Sequence, residues 1–288
     1  MTPRTIDRVH GVRHLGGDGQ VDRKAIVIPP GNWELFDPFL MLAEDWFSTP
    51  GFDWHPHRGI ETVTTVLDGA LEHGDNRGNA GVLGPGDVQW MTAGGGIVHR
   101  ELAHRDERVH TLQLWVNLPS TAKLVDARYQ DFTPDRMAVV ESPGTRVQVV
   151  SGAVGDAGGP AENHWPITGL RITVEPGRAV DVPLPGDQRA FLYVLGGRLL
   201  AGAERSEITA GDVAWSDPVG DGDSSSTLSL VAPEGDDVAE VLLYAGRPIR
   251  EQVVAHGPFV MNTTEEIEQA FRDFRSGRFG DVPVLARL

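Results

Sequence analysis

The apolar residues of this chain come in short runs broken by Gly, Pro and Asp. Ala25-Ile26-Val27-Ile28 and Phe39-Leu40-Met41-Leu42 set the pattern up to about residue 52, and it predicts short strands joined by turns. Val63-Thr64-Thr65-Val66-Leu67 is a β-branched run that ends at Asp68-Gly69, a hairpin signal. Beyond it, Ala70-Leu71-Glu72-His73 leads into a loop over Gly74 to Gly78, and Gly81-Val82-Leu83 leads into a Pro85-Gly86 turn. Val88-Gln89-Trp90-Met91 and His110 to Val116 are further strands, the second with Gln113 on one face and Leu112 and Leu114 on the other. Only the tail breaks the β pattern. Thr263-Thr264-Glu265-Glu266 has capping-box form, Ile267, Ala270, Phe271 and Phe274 follow at helical spacing, and Gly277 is a stop, so a helix is expected over about 264–276.

The pattern repeats. Val63 to Gly69 aligns with Phe191 to Gly197 at an offset of 128, and Gly86-Asp87-Val88-Gln89-Trp90 aligns with Gly211-Asp212-Val213-Ala214-Trp215 at an offset of 125. The chain therefore contains its β domain twice, and two domains are expected, 1–133 and 134–288, the second including the helix. Pro119 to Gly144 reads as a linker, and Gly152 to Asn163 as a surface loop.

Composition limits the chemistry. The 288 residues, 40% of them apolar, are enough to build cores, and the chain has no apolar run of spanning length and no signal-like amino terminus, so a cytoplasmic protein is expected. A net charge of -16 opposes binding to nucleic acid or an anionic membrane. With no cysteine, any metal must be held by His and carboxylate oxygen.

Two segments offer such ligands. Asp53-Trp54-His55-Pro56-His57-Arg58-Gly59-Ile60-Glu61 places His55 and His57 two residues apart, and Gly94-Gly95-Gly96-Ile97-Val98-His99-Arg100-Glu101 does the same for His99 and Glu101. On a strand such pairs point to one side. A single His-x-His is commonly incidental; a second spaced pair after a Gly-rich turn makes metal ligation the better reading. Three imidazoles and a carboxylate leave open positions, as a non-haem iron oxygenase requires. Glu61 shares the parity of the histidines and is a second carboxylate candidate. Carrying the offsets into the second copy puts His55 and His57 on Pro183 and Pro185, and His99 and Glu101 on Ser224 and Ser226, so one metal per chain is expected. Phe36, Phe39, Trp46, Phe47, Phe52 and Trp54 read as core before they read as a pocket rim. His73, His104 and His110 read as structural.

The strings HPHRGIETVT, GPGDVQWMTAGGGIVHRE, LQLWVNLP and GPFVMNTTEEIEQAFRDFRSGRFG resemble the pirin family of the cupin superfamily over nearly the whole chain. The resemblance implies an all-β fold of two tandem jelly-roll cupin domains packed face to face, with a short C-terminal helix. It implies one Fe(II) in the first domain on His55, His57, His99 and Glu101, with other divalent transition metals as substitutes, and leaves Glu61 either a structural residue or one that orients a ligating histidine. Arg100 departs from the small residue common at that place; alternation points it away from the ligands. The implied activity is that of a quercetin 2,3-dioxygenase, opening a flavonol with O2, with Glu101 the acceptor of a substrate proton. The implied alternative is a non-enzymatic, iron- and redox-responsive regulator that binds a transcription factor or a metabolic enzyme.

Overall fold

The computed structural model describes residues 1–48, 51–222 and 224–282. The chain forms two β units. One comprises Arg13–Pro134 with Ile249–Leu288, and the other Met1–Val12 with Asp135–Pro248. The linear division at 133/134 therefore changes at both ends: the C-terminal helix belongs with the first β copy, and the first twelve residues belong with the second. Apolar residues decide this. Phe259, Met261, Ile267, Ala270 and Phe279 form one buried cluster with Val98, covering a sheet face of the first copy that would otherwise meet water.

The first unit has a seven-stranded and a four-stranded sheet. The strands of these two sheets are β1 (Arg13–Gly16), β2 (Arg23–Ile28), β3 (Phe39–Phe47), β4 (Phe52–His57), β5 (Ile60–Asp68), β6 (Leu71–Asp75), β7 (Ala80–Leu83), β8 (Val88–Thr92), β9 (Ile97–Ala103), β10 (Val109–Asn117) and β11 (Arg128–Phe132), and Val254–His256 pairs with Phe259–Met261 in a separate hairpin. The larger sheet runs β11-β8-β5-β10-β3-β2-β1 and the smaller β4-β9-β6-β7. Phe47, Val66 and Val109 from the first meet Leu71, Leu83 and Ala103 from the second in one core, the packing expected of a β-sandwich.

Asp68-Gly69 makes a turn but not a hairpin. Gly69 has φ +74, and a Cβ there would lie 2.1 Å from the Arg108 carbonyl, so only glycine fits. The strand after it, β6, joins the other sheet, because β8 and β10 already flank β5. The stretch read as a linker also carries structure, β11 and a strand over Ala138–Ser142.

The second unit repeats the two-sheet plan with β12 (Ala179–Pro185), β13 (Arg189–Gly196), β14 (Asp212–Ser216), β15 (Ser225–Val231) and β16 (Ala239–Gly246) among its strands. The N-terminal arm completes it. Thr2–Pro3 pairs in parallel with β15, and Arg8–Gly11 pairs antiparallel with β14. Between them Arg4 is fully buried, its guanidinium donating to Ser226 Oγ, Ser216 Oγ and the carbonyls of Asp217, Pro185 and Gln188. Of the positions reached by sequence offset, Pro183, Pro185 and Ser224 are at least partly exposed, and Ser226 is buried but is taken up by Arg4 and the Leu184 carbonyl. Pro183 pairs with Thr227, and Val182, Leu184, Leu228 and Leu230 turn into an apolar core. A metal has nothing to hold on to there.

The tail helix runs Thr264–Arg275 with the expected capping box, Glu266 N–H donating to Thr263 Oγ1 and Thr263 N–H to a Glu266 carboxylate oxygen. Among the described residues no helix is long and apolar enough to cross a membrane.

Candidate metal centre

β4 and β9 are antiparallel neighbours, with His55 opposite His99 and Ile97 opposite His57. Period-two alternation turns all three imidazoles to the same side, and the register brings them together. Ring centroids are 4.3 Å apart for His55 and His99, 4.9 Å for His55 and His57, and 5.1 Å for His57 and His99. One ligand atom from each lies within 4.8 Å of the others, and no other such group of three occurs among the described residues.

The surroundings suit a cation. His55 Nδ1 is 2.7 Å from the Asp53 carbonyl, which fixes the proton on that nitrogen and leaves the Nε2 lone pair free. His57 and His99 are buried, and none of their ring nitrogens makes a hydrogen bond of good geometry. Buried imidazoles without partners are costly unless something occupies their lone pairs. Burial, and then the crowding of imidazoles that cannot all carry charge together, holds both well below the ordinary histidine range, although the Pro258 carbonyl near His57 pulls the other way. Neutral imidazole is the form that ligates. The donor set therefore fits a divalent transition metal, held by nitrogen and with no sulfur.

Glu101 is on β9 beyond a register shift between His99 and Glu101. Its carboxylate does not join the three imidazoles within 4.8 Å. Instead Thr64 Oγ1 donates to Oε1 at 3.0 Å and Gln113 Nε2 to Oε2 at 2.6 Å. Trp115 Nε1 donates to the Gln113 side-chain oxygen at 3.1 Å, which sets the amide the right way round, and the Trp115 ring packs edge-on to His57 at 5.0 Å. Thr64, Gln113 and Trp115 thus brace the centre. Alternation along the sequence puts Gln113 on the face opposite Leu112 and Leu114, and only the pairing of β5 with β10 brings it to Thr64 and Glu101.

Glu61 is buried and accepts from Thr92 Oγ1 at 2.8 Å, a strand-to-strand bond, and it lies outside the histidine group. Arg100 points away from the ligands, as alternation requires. It donates to Glu72 Oε1 at 2.9 Å and lies over the Trp54 ring. His110 bonds Glu44 and stacks on Trp46, His73 stacks on Tyr129 within 3.3 Å of Asp131, and none of them joins the trio. Phe36, Phe39 and Phe47 are core, while Phe52 packs against Phe47 and reaches the rim of the site, 6.4 Å from the His55 ring. Beside Glu101 a cavity of about 10 Å³ is lined by Asp45, Phe47, Phe52, Leu71, Thr111 and Gln113. A larger cavity, about 610 Å³, belongs to the second unit, where Trp165, Thr168 and Gln188 line it without any ligating trio.

Residues 29–116 match the family described as Pirin, and residues 169–280 match the Pirin C-terminal cupin domain. The chain is 39% identical to Pirin-like protein 2 of Arabidopsis thaliana over 281 residues, covering 96% of this chain and 85% of that one. It is 41% identical to a pirin-like protein of Caulobacter vibrioides over 257 residues, covering 85% and 88%. A solved structure titled quercetin 2,3-dioxygenase, from Acinetobacter baumannii, superposes with a TM-score of 0.86 at 28% identity, covering 98% of this chain and 100% of the other.

Proposed function

The chain belongs to the pirin family, and from that membership we propose that it is a metal-dependent dioxygenase of quercetin-like flavonols, with one Fe(II) held by His55, His57, His99 and Glu101. The observation that carries the reading is the convergence of three imidazoles, two of them buried with unpartnered ring nitrogens, in a chain similar to a protein titled quercetin 2,3-dioxygenase.

A ferrous ion bound there supplies Lewis acidity toward a chelating substrate oxygen and redox chemistry toward dioxygen. The remaining work belongs to the chain. His57 and His99 stay neutral through burial, so their lone pairs remain available to a cation at neutral pH. Partly exposed His55 marks the side from which substrate enters. Glu101, the only carboxylate among the four, takes the proton of the flavonol hydroxyl on a carboxylate oxygen. Thr64 and Gln113 hold that carboxylate in place. Phe47, Phe52 and Leu71 keep the neighbouring cavity apolar on one side and limit the access of water to Glu101.

The test is to load purified protein with Fe(II) without oxygen, add quercetin, and admit air. Oxygen uptake with release of carbon monoxide is expected, lost in His99→Ala and reduced in Glu101→Gln. Bound metal without oxygen uptake refutes the enzymatic reading. Under the regulatory alternative, the same protein would instead change its affinity for a protein partner between Fe(II) and Fe(III). Metal analysis of protein from unsupplemented cells distinguishes iron from Mn, Co, Ni or Cu.

A further inference from the structure

We propose that Asp273, on the C-terminal helix, is a positioning residue of the metal centre, acting through Arg58 on both ligand-bearing segments. The proposal rests on the reading that His55, His57 and His99 hold a divalent metal.

Arg58 immediately follows His57, and its guanidinium reaches in two directions. Nε donates to the Gly95 carbonyl at 2.8 Å, inside the turn that delivers His99, and Nη1 donates to Asp273 Oδ2 at 2.9 Å. One side chain therefore ties the segment after His57 to the segment before His99. Backbone bonds run alongside it: Gly59 N–H donates to the Gly94 carbonyl at 2.8 Å, and Val260 N–H to the Arg58 carbonyl at 3.1 Å.

Asp273 decides where that guanidinium sits. Both side chains are nearly buried, and an arginine so placed needs a charged partner. The carboxylate is itself fixed by Gln269 Nε2 at 2.6 Å and Arg278 Nη1 at 2.8 Å. The Phe279 ring lies under the Arg58 guanidinium at 4.6 Å, and the Phe279 carbonyl accepts from Asn76 Nδ2 at 2.6 Å. Asn76 Oδ1 in turn accepts from Val98 N–H, the residue before His99. Gly96 fits against this ring only because it has no Cβ; one built there would lie 2.9 Å from three Phe279 ring atoms. The tail thus braces the two segments beside their ligands without contributing a ligand.

Arg58, Asp273 and Phe279 act on ligand position through the backbone of the two segments and not through the imidazoles; a metal tolerates little error in donor placement, and interactions that orient its ligands are worth about 10–100-fold in metal affinity. A tail that only covered apolar surface would stabilise the fold and leave that affinity alone.

The experiment titrates Co(II) into the full-length apo chain, reading affinity and the visible absorption of bound cobalt, in wild type, Asp273→Asn and Arg58→Lys. Val241→Ala, a core substitution in the other unit, supplies a loss of unfolding stability without touching the tail. Both tail variants are expected to bind Co(II) about ten-fold or more weakly with a changed spectrum, while Val241→Ala binds as wild type. If Asp273→Asn does not fold, Asp273→Glu, which keeps the charge and displaces it by one methylene, carries the same expectation. Wild-type affinity and spectrum in Asp273→Asn overturn this proposal alone, as does an equal loss in Val241→Ala. No Co(II) binding by wild type overturns the metal reading and this proposal with it.

Discussion

Arg4 gives the sharpest test of how the second unit is held together. It is 0% exposed, and its guanidinium is the common donor for two serine hydroxyls and three backbone carbonyls. Burial, opposed by Asp7, Asp187 and Asp217, lowers its pKa to about 10, so it remains charged at neutral pH. Arg4→Met keeps most of the apolar stem and removes every donor. Charge-assisted hydrogen bonds contribute about 1.5–3 kcal/mol each. Their sum is offset by the several kcal/mol needed to strip water from the guanidinium, and each buried acceptor that Arg4→Met leaves without a donor costs about 1–3 kcal/mol. Over several acceptors that is a large share of a domain stability of about 5–15 kcal/mol. Urea unfolding should show the loss, and amide exchange should localise it to Ser225–Val231, the strand that pairs with Thr2–Pro3. Low concentrations of methylguanidinium should restore part of it, where sodium at equal ionic strength does not. A loss below about 1 kcal/mol would mean that the carbonyls find other donors, and the arm would then be dispensable.

Three further outcomes are expected. His55→Ala with His57→Ala should abolish bound metal, measured by elemental analysis, and leave the circular dichroism spectrum intact, because the second unit keeps the same sandwich with Val182 and Leu184 facing inward. Gln113→Leu deprives Glu101 Oε2 of its donor; oxygen uptake with quercetin should fall about 10–100-fold while the metal is retained. Burial pushes the Lys123 ammonium down to about 7 from its ordinary 10.5, against the pull of Glu251 and Glu266. Between those values the unfolded chain binds a proton that the folded chain has released, so stability should rise with pH across that window and be level below it. Lys123→Met should flatten the slope in urea titrations, although it also strips a donor from Gly59, Val260 and Asn117.

Much of the site was legible along the chain. Side chains two apart on a regular strand share a face whatever the strand pairs with, so His55 could be grouped with His57 before any fold was known, whereas the register shift between His99 and Glu101 is not legible in their spacing. The capping box at Thr263 and Glu266 was equally readable, because its bonds close within one turn. The duplicated strings gave two copies for the same reason: a repeat is visible without knowledge of contacts.

Pairing was another matter. A turn at Asp68-Gly69 says that the chain reverses, not which strand it will join, and β6 went to the other sheet because the neighbours of β5 were already taken. Offsets carried the ligands onto Pro183, Pro185, Ser224 and Ser226, yet register turned Val182 and Leu184 inward in place of the prolines, and Ser226, buried on the face of Leu228 and Leu230, bonds Arg4. The bracing of Glu101 by Thr64 and Gln113, the burial of Arg4 among β12, β14 and β15, and the bond from Arg58 to Asp273 join residues distant in sequence. The alternation of side chains, by itself, determined what each strand could offer. Only the folded chain decided which offers met, because burying apolar faces and satisfying buried polar groups are sums over the whole structure, and no local stretch contains their terms.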